Sequence, residues 1–181
     1  MSASIVLLFA ILSRILPPSL HLTAMNFTAV GGSLLFFGAR GTKRSPWQTA
    51  IAVAALMATD VFLTLFIYHY PFHVSGYVVT WAWYAGVCLM GRTLLQRASA
   101  LRVTGAVLGS ATSFFLLSNL VVWMGSMYAH TAAGLASCFA SALPFYRNDL
   151  VSTGLVAGAL FGLPALATRM VDAFQPHHDI A

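Results

Sequence analysis

The sequence has no glutamate, and its four acidic residues are all aspartates. With nine lysines and arginines, charged residues make up only 7% of the 181, where soluble domains carry about 25%. So few charges cannot cover a water-facing surface, so a soluble globule is excluded and most of the exterior must face lipid. The basic excess is five charges, scattered over short connections, which excludes nucleic acid as a partner. Two cysteines supply neither a disulfide framework nor a zinc spacing.

What is present is apolar: 59% of the residues, with a mean hydropathy of +0.83. This is the composition of an integral membrane protein whose solvent is the lipid bilayer. Its length fits one transmembrane domain, residues 1–172. Residues 173–181 carry no apolar pattern and read as a flexible cytoplasmic tail, in which His177-His178 is a solvated pair.

Six apolar runs are bounded by charge, proline or polar clusters: 4–16, ended by Pro17-Pro18, then 26–39, 47–68, 77–95, 103–124 and 150–170. The last four reach the roughly 20 residues that a spanning helix needs. The first two are shorter and call for thinned or protein-lined surroundings. The stretch 131–143, closed by Pro144, is too short to span and reads as a re-entrant or surface helix before the last span. The expected fold class is all-α integral membrane, with six transmembrane helices and that one short helix.

With the N-terminus in the cytoplasm, Arg40, Lys43, Arg44, Arg92, Arg97, Arg102 and Arg169 lie inside, and only Arg14 and Arg147 lie toward the outside. That asymmetry obeys the positive-inside rule and puts both termini in the cytoplasm. A second reading makes the first run a signal peptide, with an apolar stretch at 5–12 and a small-residue site at Leu22-Thr23-Ala24.

Polar side chains at membrane depth are expensive and therefore candidates for function. Asp60 stands about 20 Å up from Trp47 by helix rise, and Asn119 about 24 Å into the fifth run. Arg14 is the natural ionic partner of Asp60. His21, His69, His73 and His130 all fall in outer connections, as do most of the tyrosines and tryptophans. An aromatic belt would occupy both interfaces; this bias points to an outward-facing pocket or to a thick outer belt. Pro144 ends one helix in this reading, and Asn148 or Asp149 caps the next. A helix start beside Arg147 would attract a carboxylate or phosphate, while the plain alternative pairs Asp149 with Arg147. Cys88 and Cys138 read as small buried apolar residues. Small residues spaced by four, at Gly154, Gly158 and Gly162, at Gly105 and Gly109, and at Ala50, Ala54 and Ala58, mark close helix packing or the docking of a membrane partner.

Several of these residues recur together. Asn26-Phe27-Thr28, Val30-Gly31, Phe37-Gly38, the turn from Met57 to Asp60, Asn119 with Trp123 and Tyr128, Gly134-Leu135, Cys138, Pro144-Phe145 and Arg147-Asn148 resemble a largely uncharacterised family of small bacterial membrane proteins grouped with transport. That family is similar in turn to the six-helix S component, the substrate-binding subunit of energy-coupling factor (ECF) vitamin transporters. The resemblance runs from Arg14 to about Leu163. The chain departs from the pattern at Ala29, where the family tends to have proline, and at Ser152-Thr153, where it tends to have Gly-Asp. Residues 5–16 also lack the alanine-spaced face that S components present to a coupling subunit.

The resemblance implies a substrate-binding subunit or solitary transporter in the bacterial inner membrane, taking up a vitamin-like small molecule. An ECF coupling subunit and ATPases are its implied partners. The substrate-binding candidates are Asn26, Asp60, Trp81, Asn119, Trp123, Tyr128, His130, Arg147 and Asn148. No cofactor and no resident metal is expected; were the ligand a corrinoid, His130 or Cys138 could reach its cobalt. A non-catalytic assembly or channel protein is the second reading. An intramembrane enzyme is the third, disfavoured because no base stands beside a nucleophile in the sequence.

Overall fold

The structure is a computed structural model that describes residues 3–19, 27–40 and 47–174. Asn26, His21, the Leu22-Thr23-Ala24 site, Lys43, Arg44 and the tail with His177-His178 lie outside the described residues. Within them the chain is helical throughout, without strands: α1 (Ala3–Ser19), α2 (Val30–Arg40), α3 (Trp47–Phe62), α4 (Val78–Leu94), α5 (Ala100–Met124), α6 (Ala132–Ala157) and α7 (Leu163–Phe174). A π-helical turn, Leu63–Ile67, prolongs α3, and a second, Gly158–Gly162, joins α6 to α7. Helix therefore continues to Phe174, past the expected start of the tail.

Three helical stretches are long and apolar enough to cross a membrane: Trp47–Ile67, Ala100–Met124 and the 40-residue Ala132–Val171. The segment 3–18 is apolar but shorter.

Three prolines do not act as the sequence suggests. Pro17 and Pro18 lie inside α1, which runs to Ser19 rather than stopping at Leu16. Pro144 lies inside α6, so the stretch 131–143 is no separate short helix but the first half of one long one. Its true N-cap is Thr131, whose hydroxyl accepts from the Gly134 N–H at 3.1 Å. Proline removes one helical N–H, but where water is scarce a broken helix would strand several more backbone groups, so an apolar helix passes through it.

The core is organised by α2. Every residue from Val30 to Phe37 is buried, as befits an eleven-residue helix that is apolar all round. It packs against α1, α4, α5 and α6. Its close neighbours are set by glycine. A Cβ on Gly38 would collide with the carbonyl oxygen of Cys88, and one on Gly91 with that of Leu35, so α2 and α4 meet backbone to backbone. A Cβ on Gly32 would stand 2.8 Å from the Ala157 nitrogen on α6.

Of the small-residue lines legible in the sequence, Gly109 meets Met90 of α4 and Gly154 meets Val107 of α5, but the other members do not pack on a neighbour. Gly105, Gly158 and Gly162 have nothing within contact of a Cβ, and Ala50, Ala54 and Ala58 are exposed. They face away from the rest of the chain.

Candidate functional site

The polar groups converge on one layer near the C-terminal ends of α1 and α3 and the N-terminal ends of α2 and α4. Arg14 on α1 donates to the carboxylate of Asp60 on α3 and to the Tyr84 hydroxyl on α4. The other carboxylate oxygen of Asp60 accepts from Trp81 Nε1 at 2.9 Å and faces the Tyr84 hydroxyl at 3.4 Å. Trp81 and Tyr84 are one turn apart and so share a face of α4. Asp60, 1% exposed, thus holds three helices together through one cationic and two neutral donors. The cost of burying a carboxylate is offset only by partners of this kind.

The backbone around Asp60 is also tied. Thr64, in the π turn, donates to the Asp60 carbonyl at 2.7 Å and bonds the Tyr77 hydroxyl at 2.5 Å. Tyr77 stacks on Phe72 with centroids 4.9 Å apart, and Trp81 lies 6.0 Å from Tyr77 in the same stack. Single π turns of this type recur next to functional sites.

A cavity of about 180 Å³ borders the network, with Arg14, Asp60, Tyr77, Tyr84 and Trp83 in its wall and Thr28 and Val30, at the start of α2, beside them. A second, of about 170 Å³, lies between α5 and α6 against Phe115, Ser118, Asn119 and Tyr146. Phe114 and Asp149 line both. Ring contacts and one hydrogen bond hold the second cavity's walls: Phe115 packs on Tyr146 at 4.8 Å and on Phe139 at 5.3 Å, and the Thr112 and Tyr146 hydroxyls meet at 2.9 Å. Trp83 joins α4 to α5 by donating to the Ser110 carbonyl at 3.2 Å and to Ser113 Oγ at 3.1 Å.

The candidates from the sequence divide accordingly. Asp60 and Trp81 sit in the network, and Asn119 lines the second cavity, where its amide donates to the Phe115 carbonyl at 2.7 Å. Asn26 lies outside the described residues. Trp123, in the last turn of α5, and Tyr128 and His130, in the α5–α6 connection, line neither cavity. Trp123 Nε1 donates to the Ala129 carbonyl at 3.1 Å, and a His130 ring nitrogen bonds the Gly125 carbonyl oxygen at 3.0 Å. These rings close a turn.

Arg147 and Asn148 stand in mid-helix rather than at a helix start. Arg147 is exposed and Asp149 is 8% exposed. Two residues are 200° apart on a helix, so Arg147 faces away from Asp149 and does not pair with it. Asn148 lines neither cavity. The Cys138 thiol donates to the Asn119 carbonyl at 3.4 Å, and a His130 ring nitrogen is engaged by the Gly125 carbonyl. Among the described residues no group of three or more His, Cys or Asp could hold a metal ion.

Tyr84 and Phe114 were not among the candidates, and Asp149 was read as a cap or a partner of Arg147. The signal for Tyr84 was present, one turn from Trp81. The inward face of Asp149 was hidden by the supposed break at Pro144, which turned the residue into a cap.

The fold and this layer define a class: an all-helical protein, with helices long and apolar enough for a membrane, holding ionisable groups and cavities in its interior. The chain belongs to a family of unknown function (DUF6580), which it matches over residues 1–175. No curated protein and no solved structure matches it.

Proposed function

We propose that the chain captures a small molecule for uptake, either as the substrate-binding subunit of a membrane transporter or as a small transporter in its own right. The observation that carries this reading is the meeting of Arg14, Asp60, Tyr84 and Asp149 at one cavity between the helices. A structural pin between helices needs Arg14 and Asp60 but neither the cavities nor the second carboxylate. Concave sites with a few convergent polar groups in aromatic walls are the usual form of small-molecule sites.

The substrate is a small vitamin-like molecule. Each cavity is close to the 150 Å³ that accommodates one benzene ring, which is too small for a corrinoid macrocycle. Capture requires no covalent chemistry. The chain sits in the bacterial inner membrane with both termini in the cytoplasm and six helices crossing or lining the bilayer. Arg40, Arg92 and Arg102 near the ends of α2, α4 and α5 support that orientation. An ECF-type coupling subunit and ATPases supply energy in the partnered form.

The test is purification of the full chain in mild detergent, followed by mass spectrometry of small molecules released on denaturation. A specific co-purifying compound, depleted in Phe114→Trp, is the expected result. ATPases retained in the same preparation would select the partnered form, and uptake into proteoliposomes by the chain alone would select the solitary one. An empty protein with hydrolytic activity that is lost in Asp60→Asn would overturn the proposal in favour of an enzyme.

A further inference from the structure

We infer that the two cavities around Asp149 take a small organic cation, with its ammonium group against the Asp149 carboxylate; this rests on the capture reading above and names the ligand's charge. The argument is one of unbalanced charge. The polar layer contains one cation, Arg14, and two carboxylates, Asp60 and Asp149. Arg14 is committed to Asp60 and Tyr84. Among the described residues no cationic side chain is paired with Asp149, although it is more than nine-tenths buried and borders both cavities. Arg147, its near neighbour in sequence, is turned to the opposite face of α6.

A buried carboxylate without a counter-charge is costly, and a bound cation offsets that cost. The walls suit an organic cation better than a bare ion. Phe114 is common to both cavities, Tyr84 and Tyr146 stand to either side, and aromatic faces attract cations. The volumes of about 180 and 170 Å³ set the size: a ring-sized body on one side of Asp149, with room for a second small group on the other. Hydroxyl and amide groups, Thr80 in the first cavity and Ser118 and Asn119 in the second, are placed to meet polar substituents.

Three probes of one shape test this on the purified full chain: benzylammonium, benzyl alcohol and benzoate, followed by thermal stabilisation and by calorimetric titration. Benzylammonium is expected to bind at least about tenfold more tightly than benzyl alcohol, the difference that a charged hydrogen-bond partner makes, and benzoate more weakly still. Asp149→Asn should abolish the preference for the cation, and Asp149→Glu should keep it. Equal binding of the alcohol and the ammonium overturns the inference, because Asp149 would then be protonated and neutral. Tightest binding of benzoate overturns it too, and would assign the site to Arg14 and the start of α2. If Asp149→Asn does not fold, the three probes on the unaltered chain still decide. Should none of them bind while a compound co-purifies, the charge assignment falls and capture stands; with neither, both fall.

Discussion

Arg14 and Asp60 cannot be valued separately, since each is tolerable in the bundle only because of the other. Asp60→Ala leaves the guanidinium with Tyr84 alone and is expected to cost about 3 kcal/mol. The double replacement Arg14→Met with Asp60→Leu removes both charges and should recover most of that loss. Thermal unfolding of the purified variants measures the difference; a double variant no better than the single one would mean that packing, not charge, sets the cost. The pair was legible from sequence because so few charges exist: Arg14 and Asp60 are opposite in sign and fall at similar depth on neighbouring runs. Asp149 was legible as a charge toward the outer half beside Arg147, but its inward face was not, because that depended on whether a helix passed through Pro144. Tyr84 was hidden among many aromatics, for ring content alone does not say which hydroxyl turns inward.

Among the elements, the hydropathy pattern found α3, α4 and α5 to within a few residues at each end, since long apolar runs between charges have few alternatives. It failed at α6, where proline was read by a rule that belongs to water-exposed helices. It failed also on packing, for spacing by four is visible in sequence whereas the neighbour it faces is not. Gly38 and Gly91 bring α2 and α4 into backbone contact, and neither belonged to a recognisable line. A methyl at either would press on a carbonyl oxygen that cannot move aside, so Gly38→Ala and Gly91→Ala should each destabilise by about 2 kcal/mol. Gly158→Ala, which meets open space, should change stability little. Denaturation midpoints of the three variants check this, and a Gly158 variant as damaged as the other two would refute the packing assigned here.

For the whole molecule, orientation is open to a direct test, since the native thiols of Cys88 and Cys138 are buried and give little background. Single cysteines replacing His73 and His130, in the α3–α4 and α5–α6 connections, should react with an impermeant reagent added to intact cells. One replacing Gln96, in the α4–α5 connection, should react only after lysis. The opposite pattern would invert the orientation and move the cavities' access to the other side. The enclosure of α2 bears on a different matter, the order in which the chain is made. Eleven residues cover about 16 Å, half the hydrocarbon thickness, so lipid alone offers this segment no seat when it leaves the ribosome. Three of the walls that hold it, α4, α5 and α6, are synthesised later. The centre of the protein is therefore among the last parts to be secured, and a chain cut short before α6 would leave one side of its innermost helix uncovered.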